Sequence, residues 1–271
     1  MNEPLAPAPG KRGELALRLM SAAVLMPAGL LVVWFGGWWL ACACALVALL
    51  MAYEWASMSD SAPAWALMAG AAITPLAYQL GGWSYAVAAM ASGALLVALV
   101  GRGKLVAMVG VVLAALAPIM LLALREGPWD GRAAALIFMS TVWASDAGAY
   151  FAGRGFGGPA LAPRDSPNKT WSGAVGAVLS TILCGLIAAG LLDVAYLPWI
   201  IVGALISIVA QVGDLLESQA KRRFGVKDSG SLLPGHGGVL DRVDGLGAVC
   251  IVTVTAFLAS PGLVRLLGLS G

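Results

Sequence analysis

The most polar stretch of the chain runs from Asp214 to Asp244 and is rich in residue types suited to phosphate and cation chemistry. It holds five of the fourteen acidic residues, five of the sixteen basic residues and the single histidine, His236. On both sides the chain is almost free of charge for about twenty residues. A polar segment of this density between two apolar spans is where we expect the chemistry.

Acidic residues stand at both ends of this stretch, where it meets the apolar spans. Asp214 closes the preceding span, and Asp241 and Asp244 open the following one. An antiparallel helical hairpin would bring Asp214 and Asp241 together, and carboxylates suit Mg²⁺, which completes its shell with water and phosphate oxygens. We predict a magnesium site on Asp214 and Asp241, with Asp244 as a third catalytic acid. The alternatives are structural: Asp214 pairs with Lys221 or Arg222, and the later acids favour a helix N-terminus.

Basic and hydroxyl side chains in the same stretch have the spacing of a phosphate-binding surface. Asp214, Ser218, Lys221 and Arg222 recur at i, i+4, i+7 and i+8, so they share one face if the span continues as a helix. We predict that Lys221 and Arg222 are catalytic. The glycines let backbone N–H groups approach an anion closely. The phosphate contacts predicted in this stretch are Ser218, Lys227, Asp228, His236, Gly237, Gly238 and Arg242. For His236 the alternative is a hydrogen-bonded loop residue without a direct role.

A second polar loop, 153–172, follows Asp146 and adds further candidate phosphate contacts. They are Asp146 itself, Arg154, Ser166, Lys169 and Thr170. Thr170 or Asn168 is equally suited to capping the helix that follows. The chain lacks the G-x-x-x-x-G-K-[ST] pattern and has no predicted strand before this loop, which argues against a P-loop and against a dinucleotide-binding fold.

The composition predicts that these loops belong to a membrane protein. Hydrophobic residues make up 60% of the chain, charged residues only 11%, and the mean hydropathy is +0.89, whereas soluble domains carry roughly 25% charged residues. The four cysteines all lie in apolar spans, where a small buried hydrophobe is the default interpretation. We predict an all-α, polytopic protein with about nine transmembrane helices, at roughly 17–35, 38–57, 64–81, 83–101, 104–124, 133–152, 173–192, 195–213 and 244–260.

The distribution of basic residues predicts the orientation of these spans. With a cytoplasmic N-terminus, thirteen of the sixteen Lys and Arg residues fall on the cytoplasmic side, and three fall outside. Both polar loops, 153–172 and 214–243, are then cytoplasmic. We therefore expect residues 1–130 to act as a scaffold or membrane anchor and residues 131–271 to form the catalytic transmembrane domain.

The motifs themselves resemble the signature of phosphatidate cytidylyltransferases, the CDP-diacylglycerol synthases. The matching residues are Ser218-x-x-Lys221-Arg222, Lys227-Asp228, Pro234-Gly235-His236-Gly237-Gly238 and Asp241-Arg242-x-Asp244. The second loop adds Asp146, Ala149-Tyr150, Gly153-Arg154, Phe156-Gly157 and Ser166-Pro167-Asn168-Lys169-Thr170-Trp171-x-Gly173. Ser172 and Gly158 depart from the residues common in the family. The resemblance covers roughly residues 140–250.

The resemblance implies a membrane enzyme that transfers the cytidylyl group of CTP to phosphatidic acid, giving CDP-diacylglycerol and pyrophosphate for phospholipid biosynthesis. It implies Mg²⁺ as cofactor and a second cation nearby, with K⁺ as a candidate and Asp244 or Asp146 as its support. It also implies the bacterial inner membrane as the location, with the active site cytoplasmic, no nucleic-acid partner, and compatibility with a homodimer. Two alternatives stay open: another CTP-dependent lipid enzyme, such as a polyprenol kinase, and a secondary transporter with buried acids as ion sites.

Overall fold

The computed structural model of the chain describes residues 11–230, 232 and 237–270, with side chains from residue 23 onward. The predicted phosphate contact His236 lies outside the described residues. Nearly all of the described chain is helical. The helices are α1 (Lys11–Phe35), α2 (Gly37–Ser59), α3 (Ala64–Val100), α4 (Lys104–Glu126), α5 (Gly131–Phe156), α6 (Trp171–Leu191), α7 (Tyr196–Arg223), α8 (Leu240–Ala259) and α9 (Pro261–Leu266).

Six of the described helices, α2, α3, α4, α6, α7 and α8, are long and apolar enough to cross a bilayer. Their outer surfaces expose large apolar side chains, for example Leu99 (73%) and Leu183 (60%). In water such an apolar surface would be costly. In the bilayer it is the expected surface, because the surrounding hydrocarbon is also apolar, and the helices satisfy their own backbone hydrogen bonds there. The chain is therefore an integral membrane protein.

Helix α3 folds back on itself at a glycine pair. Its 37 residues would extend about 55 Å if straight, well beyond the roughly 30 Å hydrocarbon core. Gly81 and Gly82 leave the helical conformation, and Gly82 has a φ of 68° that favours glycine. Gly70 and Gly93 of the two arms pack so closely that a Cβ on Gly93 would lie 2.6 Å from the Gly70 Cα. The arms correspond to the predicted spans 64–81 and 83–101, while the number of membrane crossings stays a prediction.

The second polar loop contains a small β-hairpin, which the all-α expectation missed. Strands β1 (Ala160–Ala162) and β2 (Ser166–Thr170) pair antiparallel, with Ala160 opposite Thr170 and Ala162 opposite Ser166. Segments this short carry almost no alternation of apolar and polar residues, and Pro167 inside β2 is atypical of a strand. The capping alternative for Thr170 is confirmed: its side chain accepts a hydrogen bond from the Gly173 amide of α6 at 3.1 Å.

Helices α7 and α8 form a close-packed pair that carries most of the predicted site. A Cβ added at Gly213 of α7 would lie 2.6 Å from the Ala248 Cβ and 2.9 Å from the Asp244 carbonyl of α8. The beginning of α8, Val239 and Leu240, belongs to a buried apolar cluster with α2, α3 and α4. The N-terminal helices thus contact the start of α8 directly, and the functional division between 1–130 and 131–271 stays a prediction.

Candidate active site

Three carboxylates converge where α7 packs against α8. Asp214, Glu217 and Asp244 each offer an oxygen within 4.8 Å of the others. The Asp244 Oδ1 also accepts a hydrogen bond from the Gly245 amide at 2.7 Å. Three such groups at this separation repel one another unless a cation compensates them. The all-oxygen, anionic set has the chemistry of a site for a hard divalent ion such as Mg²⁺.

Asp241 lies one turn before Asp244 but has different neighbours. Its carboxylate accepts hydrogen bonds from Lys221 Nζ at 2.5 Å, from the Gly238 amide at 2.9 Å and from the Ser229 amide at 3.1 Å. Both of its oxygens are therefore engaged by protein donors. Of the two predicted metal ligands, Asp214 lies in the three-carboxylate cluster, whereas Asp241 holds the turn that precedes α8.

Lys221 joins the two groups of acids. Its ammonium lies 2.6 Å from Glu217 Oε2 on its own helix and 2.5 Å from Asp241 Oδ1 on α8. The structural alternative for Asp214 is a pair with Lys221 or Arg222, but the structure pairs Lys221 with these other two acids and Asp214 with Lys169. A half-buried cation between two carboxylates fixes α7 against the start of α8, and it also places positive charge directly beside Glu217 of the cluster.

The second polar loop meets the cluster across a polar cavity of about 600 Å³. Lys169 of β2 makes an ion pair with Asp214, which links the hairpin to α7. Predicted contacts from both loops share this cavity. Its polar lining includes Asp146 and Arg154 of α5, Asn168, Lys169 and Thr170 of β2, Gln211 and Asp214 of α7, and Asp244 of α8. The folding of the chain therefore places both predicted loops at one site.

An apolar cavity of about 250 Å³, between α2, α4, α7 and α8, reaches two acids of the cluster. Met51, Trp55 and Val243 are among its apolar walls, and Glu217, Lys221 and Asp244 form its polar end. Leu113 and Leu216 also line it and are exposed on the outer surface of the protein. Asp244 contributes to the walls of both cavities, so the carboxylate cluster stands where a polar space and an apolar space meet.

The remaining predicted residues surround this centre at varying distance. Arg222 donates to the Asp165 carbonyl at 3.4 Å and to the Val226 carbonyl at 3.2 Å, which ties the end of α7 to the β1–β2 turn. Arg154 donates to the Tyr150 hydroxyl at 3.0 Å beside the polar cavity. Of the others, Ser218 is buried in α7, Lys227 and Asp228 are exposed after it, Ser166 begins β2, Gly237 adopts a positive φ, and Arg242 lies in the first turn of α8.

Sequence reasoning missed several residues of this region. Glu217 was not predicted, although it lies three residues after Asp214 and four before Lys221, the spacing of one helix face. Gln211 lines the polar cavity and donates to Ser207 at 3.0 Å. Glu54 of α2 was also missed, although an ionisable group inside an apolar span is by default a functional candidate.

The chain is similar in sequence to known proteins along most of its length. The chain matches the model of the Cytidylyltransferase family over residues 16–260. It is 38% identical over 268 residues to a phosphatidate cytidylyltransferase of Brucella suis, covering 92% of this chain and 96% of that protein. Phosphatidate cytidylyltransferases of Thermotoga maritima and Staphylococcus epidermidis are 41% identical over 145 residues and 49% identical over 105 residues. These matches cover 50% and 38% of this chain, and 53% and 40% of the relatives.

Proposed function

The chain belongs to the cytidylyltransferase family, and from that membership we propose that it transfers the cytidylyl group of CTP to phosphatidic acid, forming CDP-diacylglycerol and pyrophosphate. The observation that carries the substrate assignment is the near full-length similarity to a phosphatidate cytidylyltransferase. The geometry supports it, because an acidic cluster between a polar and an apolar cavity suits a reaction between a nucleotide and a lipid.

The reaction makes modest demands on acid–base chemistry. A phosphate monoester has its second pKa at about 6, so the lipid phosphate is already largely a dianionic nucleophile at neutral pH. One of its oxygens forms a bond to the α-phosphorus of CTP, and the bond from that phosphorus to the bridging oxygen of pyrophosphate breaks. The protein must align the two phosphates and compensate their charge, and it needs no strong general base.

We propose that Asp214 and Asp244, with Glu217 beside them, hold the magnesium ion. Asp214 keeps the role predicted from the sequence, whereas the hydrogen bonds already made by Asp241 favour Asp244 as the second ligand. When bound, the ion supplies positive charge to the phosphate oxygens. Asp241 then acts by holding Lys221 and the turn before α8. A second cation such as K⁺ would find support at Asp146, which lines the polar cavity together with Asp244.

The two cavities suggest a place for each substrate. The polar cavity carries Arg154, Lys169 and Asn168, which suit the triphosphate and polar edges of CTP. The apolar cavity reaches the outer surface at Leu113 and Leu216, which suits an acyl chain entering from the membrane. The lipid phosphate would then lie beside Lys221, at the polar end of the apolar cavity.

The orientation proposed from the sequence fits this arrangement. The excess of Lys and Arg supports a cytoplasmic N-terminus, cytoplasmic polar loops and therefore a cytoplasmic active site, and the bacterial relatives favour a bacterial inner membrane. CTP is a cytoplasmic metabolite and would reach the polar cavity directly. A homodimer is compatible with this arrangement and stays a proposal.

The activity is tested with purified protein in detergent, with and without phosphatidic acid. The CTP is labelled either at the α-phosphate or at the γ-phosphate. We expect the α-label to enter the lipid fraction only when phosphatidic acid is present, and the γ-label to leave as pyrophosphate. Transfer of the γ-label to a lipid alcohol would instead identify a CTP-dependent kinase. No incorporation of either label with a range of lipid phosphates would refute the proposed reaction.

A further inference from the structure

An acidic residue of α2 reaches the beginning of α8. Glu54 lies in the apolar helix α2 and is only 1% exposed. Its Oε1 accepts a hydrogen bond from the Val239 amide at 2.7 Å, and its Oε2 accepts one from the Leu240 amide at 2.8 Å. The Ser229 hydroxyl donates to Oε2 at 3.0 Å. Both carboxylate oxygens are therefore directed at the segment that leads into α8.

These contacts supply what α8 lacks at its own start. The first N–H groups of a helix have no intrahelical acceptor, and a side chain at the capping position usually provides one. Here the capping residue is Val239, which has no polar side chain and makes no capping hydrogen bond. The Glu54 carboxylate takes over that function from a different helix, and its negative charge suits the positive end of the helix dipole.

The chain around Glu54 is shaped to accept the carboxylate. A Cβ at Gly238 would lie 2.7 Å from Glu54 Oε2 and only 1.9 Å from the Ser229 hydroxyl oxygen. A Cβ at Gly230 would lie 2.9 Å from Glu54 Oε1. Two glycines are thus needed for the backbone to approach one buried acid from two sides, which gives this contact a well-defined geometry.

A continuous series of hydrogen bonds and ion pairs leads from Glu54 to the active site. Ser229 donates its hydroxyl to Glu54 and its amide to Asp241, the latter at 3.1 Å. Asp241 lies 2.5 Å from Lys221, which lies 2.6 Å from Glu217 of the carboxylate cluster. Glu54 itself is not among the residues lining the polar or the apolar cavity.

We propose that Glu54 is a positioning residue for cytidylyl transfer. By fixing the first turn of α8, it sets the place of Asp241 and, one turn further on, of Asp244 relative to α7. The inference rests on the proposed function. It also gives the N-terminal helices a part in the active site beyond that of a membrane anchor.

The test compares Glu54→Gln with a matched control, Glu126→Gln. Glu126 also accepts a backbone amide across elements, from Gly37 at the other end of α2, at 2.8 Å. Glutamine at position 54 keeps the size of the side chain, but its NH₂ group then faces at least one of the three groups that donate to Glu54.

We expect the kcat of Glu54→Gln to fall about 10- to 100-fold, which corresponds to the loss of roughly one charge-assisted hydrogen bond. The KM values for CTP and phosphatidic acid should change by less than about threefold, since Glu54 touches neither cavity. Glu126→Gln should keep the kcat of the wild type.

Ser229→Ala provides a milder second variant, because it removes one donor and keeps the backbone contacts. Its kcat should fall less than that of Glu54→Gln. The double variant should be scarcely worse than Glu54→Gln alone, since the Ser229 hydroxyl acts through the same carboxylate. Hydrogen exchange at the amides of 238–241 should accelerate in Glu54→Gln and stay unchanged in Glu126→Gln.

Three outcomes would overturn the inference. One is a Glu54→Gln enzyme whose kcat stays within about threefold of the wild type, and another is a change confined to KM. The third outcome applies if Glu54→Gln does not fold, and it is a Ser229→Ala enzyme with normal kcat. In that case, a Ser229→Ala enzyme with a lowered kcat and an unchanged thermal midpoint supports the inference. An inactive wild type would refute the proposed function instead, and the exchange rates of 238–241 would then still decide whether Glu54 fixes the start of α8.

Discussion

Replacing Asp244 by asparagine should abolish activity without destabilising the metal-free protein. The three cluster oxygens lie within 4.8 Å of one another, and two unit charges at that distance repel by about 3 kcal/mol at an effective dielectric constant of about 20. Asp244→Asn removes two of the three repulsions and keeps the oxygen that accepts the Gly245 amide. The net repulsion is smaller than these values, since Asp214 is 38% exposed and paired with Lys169 and Glu217 is paired with Lys221.

The expected result separates a metal site from a structural cluster. In the presence of a chelator, Asp244→Asn should unfold at the same temperature as the wild type or a few degrees higher. Added Mg²⁺ at about 100 times its Kd should stabilise the wild type by about 2.7 kcal/mol and the variant much less. Cytidylyl transfer should fall at least about 100-fold, because the lost charge is one that holds a hard cation at the reacting phosphates.

Two assays test this prediction. Stability is measured by thermal unfolding in detergent, followed by tryptophan fluorescence with and without Mg²⁺. Activity is measured by the incorporation of labelled CTP into lipid. Asp60→Asn is the control, since Asp60 is exposed and its left-handed conformation (φ 46°) accommodates asparagine. An Asp244→Asn enzyme with normal activity and normal stabilisation by Mg²⁺ would refute the cluster as the metal site. Asp214→Asn and Asp241→Asn would then show whether the ligand pair predicted from the sequence holds the ion.

Three further predictions address the surroundings of the site. Lys221→Ala should lower kcat/KM about 10- to 100-fold by removing a charge-assisted contact, while Arg223→Ala, an exposed neighbour, should match the wild type in the same assay. Arg125→Ala should lower thermal stability by about 1–3 kcal/mol and leave the KM for CTP unchanged, because Arg125 donates to the Val33 and Trp34 carbonyls at 2.8 and 3.1 Å; a raised KM would contradict this. A cytoplasmic reporter fused after Arg223 should be active, and a reporter fused at the C-terminus should indicate the outside. Two reporters that indicate the same side of the membrane would refute the prediction of nine crossings.

The sequence by itself determined the membrane character, the family resemblance and the two loops that carry the site. These features are local: hydropathy decides which segments leave water, and typed residues at fixed spacing form the motifs. The predicted boundary between the spans 64–81 and 83–101 likewise coincides with the reversal inside α3, where Gly81 and Gly82 leave the helical conformation. Helical spacing within α7 was also readable, since α7 does continue to Arg223.

Tertiary structure alone decided which carboxylates share a centre. The sequence pattern predicts that Asp241 joins Asp214 at the metal site, but the packing of α7 on α8 at Gly213 brings Asp244 to the cluster, and Lys221 engages Asp241. The contact between Glu54 and the start of α8 joins residues 185 positions apart, a separation at which no periodicity operates. Such convergence depends on how helices pack against one another. Hydropathy and residue spacing describe one chain segment at a time, so they do not predict which side chains of distant helices meet.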